Sequence, residues 1–163
     1  IGQNGSKDYF ADIIILTAGG LGSPIILQNF GILKAGSGLF VDLFINTYGV
    51  TSNISQKDEP AMTLIFSEFH EKQGFILSTY INVNPMVRLI ELGAKGLTLP
   101  INRLIGIMNK TSDEANGHVY PNSTISKPIT ENDRQRLKKG SAIAKEILIK
   151  AGAKQDSILF SKI

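Results

Sequence analysis

The stretch TENDRQRLKKGSAIAKEILIKAG, residues 130–152, constrains the fold more than any other part of this sequence. Leu137, Ala144, Ile147, Leu148 and Ala151 fall on one face at helical spacing. Thr130 has the side chain of an N-cap, and Glu131 and Asp133 follow in the positively polarised first turn. Gly152 ends the helix. A helix of this length with one apolar stripe has to bury that stripe. The chain holds no second long helix to receive it, so the partner is expected to be a sheet.

The strands of that sheet are expected at residues 62–69, 75–83 and 103–109. In the first, Ile65 and Phe66 are the expected buried positions. HEKQG, residues 70–74, reads as a hairpin turn, because Gly74 can take positive φ. The run after it is rich in β-branched and aromatic residues and pairs back as a second strand. Pro85 opens a short helix through Leu92, closed by Gly93. Residues 39–47 are apolar but weakly periodic and carry no clear state. TSDEANG forms a turn with its corner at Asn116-Gly117, and residues 118–120 and 124–126 are at most short strands. Most of these connections are hairpin-like rather than β-α-β. The expected class is therefore α+β: a largely antiparallel or mixed sheet with helices packed on one face.

ADIIILTAGGLGSPIILQNFGI, residues 11–32, stands apart from this pattern. The Ile-rich run 13–16 reads as a strand buried on both faces. Gly19, Gly20 and Gly22 permit a tight turn, Ser23 is a candidate N-cap, and Pro24 suits the first helical position. A helix over 24–30 then ends at Gly31. The N–H groups at its start are free to meet an anion. The spacing is not the G-x-G-x-x-G of a dinucleotide site, and Asp42 follows without a strand to present it. Local chemistry alone favours tight strand–helix packing over an independent nucleotide site.

Composition narrows the function classes. The formal net charge is +3, and no residue is Cys, which excludes a disulfide-dense scaffold and thiolate chemistry. This does not fix a compartment, though a cytoplasmic one is expected. No apolar run approaches the roughly 20 residues of a membrane helix. The basic surplus lies between Arg134 and Lys154 without interleaved aromatics, which reads as a solvated helix face and not a nucleic-acid stripe. His70 beside Glu71 and His118 after Gly117 read as turn residues. No spacing of His and carboxylates suggests a metal. Ser112 to Glu114 read as a solvated loop. Ser23 lacks the second glycine of a G-x-S-x-G elbow. Phe66, Phe69, Phe75 and Tyr80 are core positions by default, with one face a candidate pocket lining.

Residues 11–32 resemble the second signature of the glucose–methanol–choline flavin oxidoreductases. Ala18, Gly19, Ser23, Pro24, Leu27, Gly31 and Ile32 fit that pattern, while Phe30 and Leu33 replace its usual Ser and final Gly. AGSGLFVDLF (35–44), LIGIMNKTSDEANGHV (104–119) and SKPITENDRQRLKKGSAIAKEILIKAGA (126–153) are similar, in order, to later segments of the family. The resemblance implies an FAD-dependent oxidoreductase that oxidises an alcohol or related hydroxyl substrate by hydride transfer to FAD. It implies that residues 1–38 are a remnant of the FAD-binding domain, with Ala18, Gly19 and Gly20 close to the cofactor. Residues 39–163 are then most of the substrate-binding domain. The family's main FAD-binding turn and its catalytic His have no counterpart here, so no catalytic residue is assigned. The chain is read as a fragment that is inactive and binds no FAD alone, and whose partner is the remainder of the flavoenzyme. The strand at 13–16, short of its parallel neighbours, is expected to pair with an edge, pair with a second copy, or stand poorly ordered. The rival reading is a stand-alone, non-catalytic binding domain on the same scaffold.

Overall fold

A computed structural model of the chain describes residues 8–162. The protein is α+β. It divides into two compact units, one formed by Ile1–Leu39 with Asn116–Lys127 and the other by Phe40–Ala115 with Pro128–Ile163.

In the first unit, helix α1 spans Gly19–Asn29. Strand β1 (Ser37–Leu39) pairs antiparallel with β6 (Gly117–Val119), which pairs with β7 (Ile125–Ser126). The expected strand at residues 13–16 does not form. Ile13, Ile14 and Ile15 are 79%, 83% and 81% exposed. A strand needs a neighbour to receive its N–H and C=O groups, and among the described residues none lies alongside this segment. The glycine turn is also corrected: Gly19 to Gly22 are already helical, Ala18 is the N-cap in place of Ser23, and Pro24 lies inside the helix. Gly31, at φ +87, does follow the C-cap Phe30.

The second unit is built on a five-stranded antiparallel sheet. Its strands are β2 (Phe44–Val50), β3 (Ile65–Phe66), β4 (Phe75–Thr79), β5 (Leu104–Thr111) and β8 (Leu159–Phe160). They lie in the order β3-β4-β5-β2-β8. Strand β2 pairs with β5 along its full length, from Phe44 opposite Lys110 to Val50 opposite Leu104. The weakly periodic run 39–47 thus feeds a strand at the heart of the sheet. Strand β3 is a different matter. It is a two-residue edge strand beyond the helix that covers its neighbours, so Ile65 and Phe66 are 50% and 36% exposed instead of buried. The HEKQ segment forms one helical turn, α2 (His70–Gln73), closed by Gly74 in the left-handed region at φ 71. Helices α3 (Pro85–Leu92) and α4 (Ala94–Thr98) follow β4.

Helix α5 (Glu131–Lys150) starts at the Thr130 cap, as its sequence predicts. Thr130 Oγ1 accepts from Asp133 N–H at 3.1 Å, and the Asp133 carboxylate accepts in return from Thr130 N–H at 3.0 Å. This reciprocal box satisfies two otherwise orphaned donors. Leu137, Ala144 and Leu148 are buried, and the last two join Phe75, Leu77, Ile105 and Ile107 in one core on the sheet. Each fully buried aliphatic side chain there contributes about 1.5–3 kcal/mol. The sheet partners are β5, β2 and β4, so β2 takes the place expected of residues 62–69. Ile147 sits half-buried at the margin, and Ala151 is exposed. Gly152, at φ +98, turns the chain so that Ala153 fills the core instead.

The Ser112 to Glu114 loop is more than solvated. Asp113 is buried, and its carboxylate accepts from the N–H groups of Val41 and Asp42, the latter at 2.6 Å. It holds the turn that leads into β2, where Asp42 takes a positive φ of 56° and pairs with Lys110 at 3.0 Å.

Candidate functional site

The residues that the resemblance would place near the cofactor, Ala18, Gly19 and Gly20, form the start of α1 and are all exposed. The first turn of a helix leaves N–H groups without intrahelical acceptors. Here the N-cap is an alanine, which has no side chain to cap them, and no carboxylate occupies that turn. Gly19 holds φ +73, and a Cβ added at either Gly19 or Gly20 would meet nothing within 4 Å. Uncapped donors at the positive end of a helix fit a negatively charged or strongly polar group. The other end of the helix is tied down. Gln28 is buried, and its amide donates to the carbonyls of Ala35 at 2.5 Å and Val119 at 2.8 Å.

His118 lies in β6 and not in a turn. Its Nδ1 is 3.2 Å from Ser37 Oγ, and its ring rests against Tyr120 with centroids 4.4 Å apart. His70 is exposed, as expected, but it opens α2 instead of lying in a hairpin turn. Among the described residues no group of three His, Cys, Asp or Glu side chains is placed to hold a metal ion, and no helix is long and apolar enough to cross a membrane.

In the second unit the side chains of β2 alternate between the two faces of the sheet. Ile45 and Gly49 face α5, while Asn46 and Tyr48 face α3. On the latter face Glu91 of α3 gathers two donors. Tyr48 Oη donates to Glu91 Oε2 at 2.5 Å, and Asn46 Nδ2 donates to Oε1 at 2.9 Å. Tyr48 is fully buried. Burial, reinforced by the bond to Glu91 and its charge, pushes the phenol far above its ordinary pKa. Tyr48 therefore stays protonated as a donor and is no base at neutral pH. Burial and then the Glu91 charge also raise Tyr80, whose hydroxyl accepts from Asn82 at 3.2 Å.

This cluster opens to a groove of about 400 Å³ lined by Glu91, Ile90, Leu43, Phe44, Ser161 and Lys162. A carboxylate already fixed by two donors keeps lone pairs for one more, which suits a hydroxyl-bearing ligand. Tyr80, with Ile81, Thr79 and Gln56, also lines a smaller cavity of about 190 Å³. Of the four aromatics considered for a pocket, Tyr80 thus borders one. Phe75 is fully buried and stacks on Phe69 at 5.3 Å, and Phe66 stands on the edge strand. The sequence pointed to neither Glu91 nor Asn46. Each is an ordinary polar residue until β2 and α3 bring the two together.

No protein-family model matches the chain, no curated protein matches it, and no solved structure matches it.

Proposed function

We propose that the chain is the substrate-side domain, with one element of the flavin-binding domain, of an FAD-dependent oxidoreductase of the glucose–methanol–choline type acting on an alcohol or related hydroxyl substrate. The observation that carries this reading is the state of residues 13–16. They have the composition of a strand buried on both faces, yet Ile13, Ile14 and Ile15 lie 79–83% exposed immediately before a helix start with open donors. Such a run is made for parallel neighbours that these residues do not supply. An antiparallel sheet with its long helix on one face is also consistent with the resemblance.

On this reading the bound flavin supplies the hydride acceptor. Backbone N–H groups at Ala18, Gly19 and Gly20 hold a polar part of the cofactor. Glu91, positioned by Tyr48 and Asn46, accepts a hydrogen bond from a substrate hydroxyl and orients it. Tyr48 moves no proton at neutral pH.

The test is to express the complete reading frame that contains this chain. The expected product is a yellow protein with a flavin spectrum that bleaches when an alcohol is added without oxygen. Gly20→Val is then informative, because a Cβ at Gly20 meets nothing within 4 Å among the described residues. It should lower flavin occupancy several-fold without changing the urea midpoint of the isolated chain. A colourless full-length product that neither takes up FAD nor oxidises alcohols would overturn the proposal in favour of a non-catalytic binding domain.

A further inference from the structure

Helix α5 carries a second stripe beside the one that packs on the sheet. Arg134, Lys138, Ser141 and Lys145 follow one another at four-, three- and four-residue steps, so they share a face. With Ile45 of β2 and Phe160 of β8, this stripe lines an open groove of about 450 Å³. Small-molecule sites typically measure roughly 300–1,000 Å³. Leu137, Ile45 and Phe160 supply an apolar surface, and Phe160 is left 46% exposed. The groove lies on the α5 face of the sheet, opposite the Glu91 cluster, and does not depend on the flavin reading.

Two observations point to a ligand. The first is charge. The ion pairs among the described residues are Lys57 with Asp58 and Lys110 with Asp42, and neither involves a cation of this stripe. Three positive charges therefore border an apolar groove without an anion among them. The second is Ser141. It is only 6% exposed, and its hydroxyl has no hydrogen-bond partner. A helical serine commonly bonds the carbonyl four residues back. Here that carbonyl, of Leu137, accepts from the buried Asn109 amide at 2.8 Å. A buried hydroxyl without a partner is costly, and it sits midway along the row of cations.

We propose that this groove binds an amphiphilic monoanion, a short alkyl chain ending in a carboxylate. The chain lies against Ile45, Leu137 and Phe160. The carboxylate meets the cations and accepts from the Ser141 hydroxyl. A phosphate polymer would use the charges but not the apolar surface, and Phe160 alone offers no row of stacking platforms. A neutral lipid would use the surface and leave the charges idle.

The experiment is a titration of the chain with sodium octanoate below its micelle concentration, followed by methyl NMR, with acetate and 1-octanol as separate arms. Expected are saturable single-site shifts at Ile45 and Leu137. Acetate and 1-octanol should bind at least about tenfold more weakly, since each lacks half of the recognition. Joint Lys138→Gln and Lys145→Gln substitution should weaken octanoate about tenfold and leave 1-octanol unchanged. Ser141→Ala should weaken octanoate several-fold. Ala142→Glu, which places an anion on the exposed wall of the groove, should abolish binding with an unchanged urea midpoint. Absence of saturable octanoate binding overturns the proposal. So does 1-octanol binding as tightly as octanoate, octanoate affinity that survives both charge changes, or binding to anionic vesicles alone.

Discussion

Replacing Gly140 by alanine tests the packing of α5 with the sign of the effect at stake. Gly140 lies in the middle of a twenty-residue helix, where alanine is normally better by about 0.8–1 kcal/mol. Here a Cβ would sit 2.3 Å from Asn109 Oδ1 and 2.4 Å from its Cγ and Nδ2. Asn109 is fully buried in the central strand and cannot swing into solvent. Its Nδ2 is also engaged, at 2.8 Å, with the Leu137 carbonyl. Overpacking of this kind costs about 1–3 kcal/mol. Displacing Asn109 from its acceptor leaves a buried amide unsatisfied, about 1–3 kcal/mol more. Set against the helix-propensity gain, the net is a loss of about 3 kcal/mol. With a urea m-value of about 1–3 kcal/mol per molar, the midpoint should drop by about 1–3 M. The double variant with Asn109→Ala should lose less than the sum of the two single changes, by about 1 kcal/mol or more, because each residue then makes room for the other. Gly140→Ala with a higher urea midpoint than the parent would mean that α5 does not approach β5 as described, and the reasoning would fail.

Two further outcomes follow from the same core and from the buried phenol. Ile147→Ala, at the half-buried margin of the α5 seam, should cost about 1–3 kcal/mol, whereas Lys139→Ala on the exposed side should change stability by less than about half a kcal/mol; urea midpoints that reverse this order would turn the helix face around. Tyr48 has a native pKa raised above its unfolded value of about 10, so the native state keeps a proton that the unfolded chain releases above that pH. Its stabilising contribution is complete below about pH 10 and declines as pH rises beyond it, by at most about 1.4 kcal/mol per pH unit. Tyr48→Phe should flatten the alkaline limb of a urea-midpoint series from pH 8 to 11, and an unchanged limb would contradict the buried Tyr48–Glu91 pair.

Much of the second unit could be read from local signals. The Thr130 cap, the acidic first turn and the stop at Gly152 each act within a few residues, so the ends of α5 were legible in the sequence. Pro85 at the start of α3 and Gly93 at its end are local for the same reason, whereas the Asn84 side-chain cap was not singled out in the sequence. Strand β2 was not legible, because its state comes from seven cross-strand pairs with β5, residues about sixty positions away. The Glu91 cluster was hidden for the same reason. Its three members belong to a strand and a helix far apart in sequence, and nothing in their spacing marks them.

The two ends of this contrast are residues 13–16 and Gly140. By itself the sequence determined which segments carry helix starts and stops, where one long apolar stripe runs, and that the class is α+β. Those properties follow from backbone preference and side-chain periodicity, which act locally. Tertiary structure alone decided that the Ile-rich run, strand-like in composition, stays exposed, since a strand exists only when another accepts its hydrogen bonds. It also decided that the mid-helix glycine is a contact surface for Asn109 and not a flaw in the helix. Burial and close approach are properties of pairs of segments, and a single segment does not carry them.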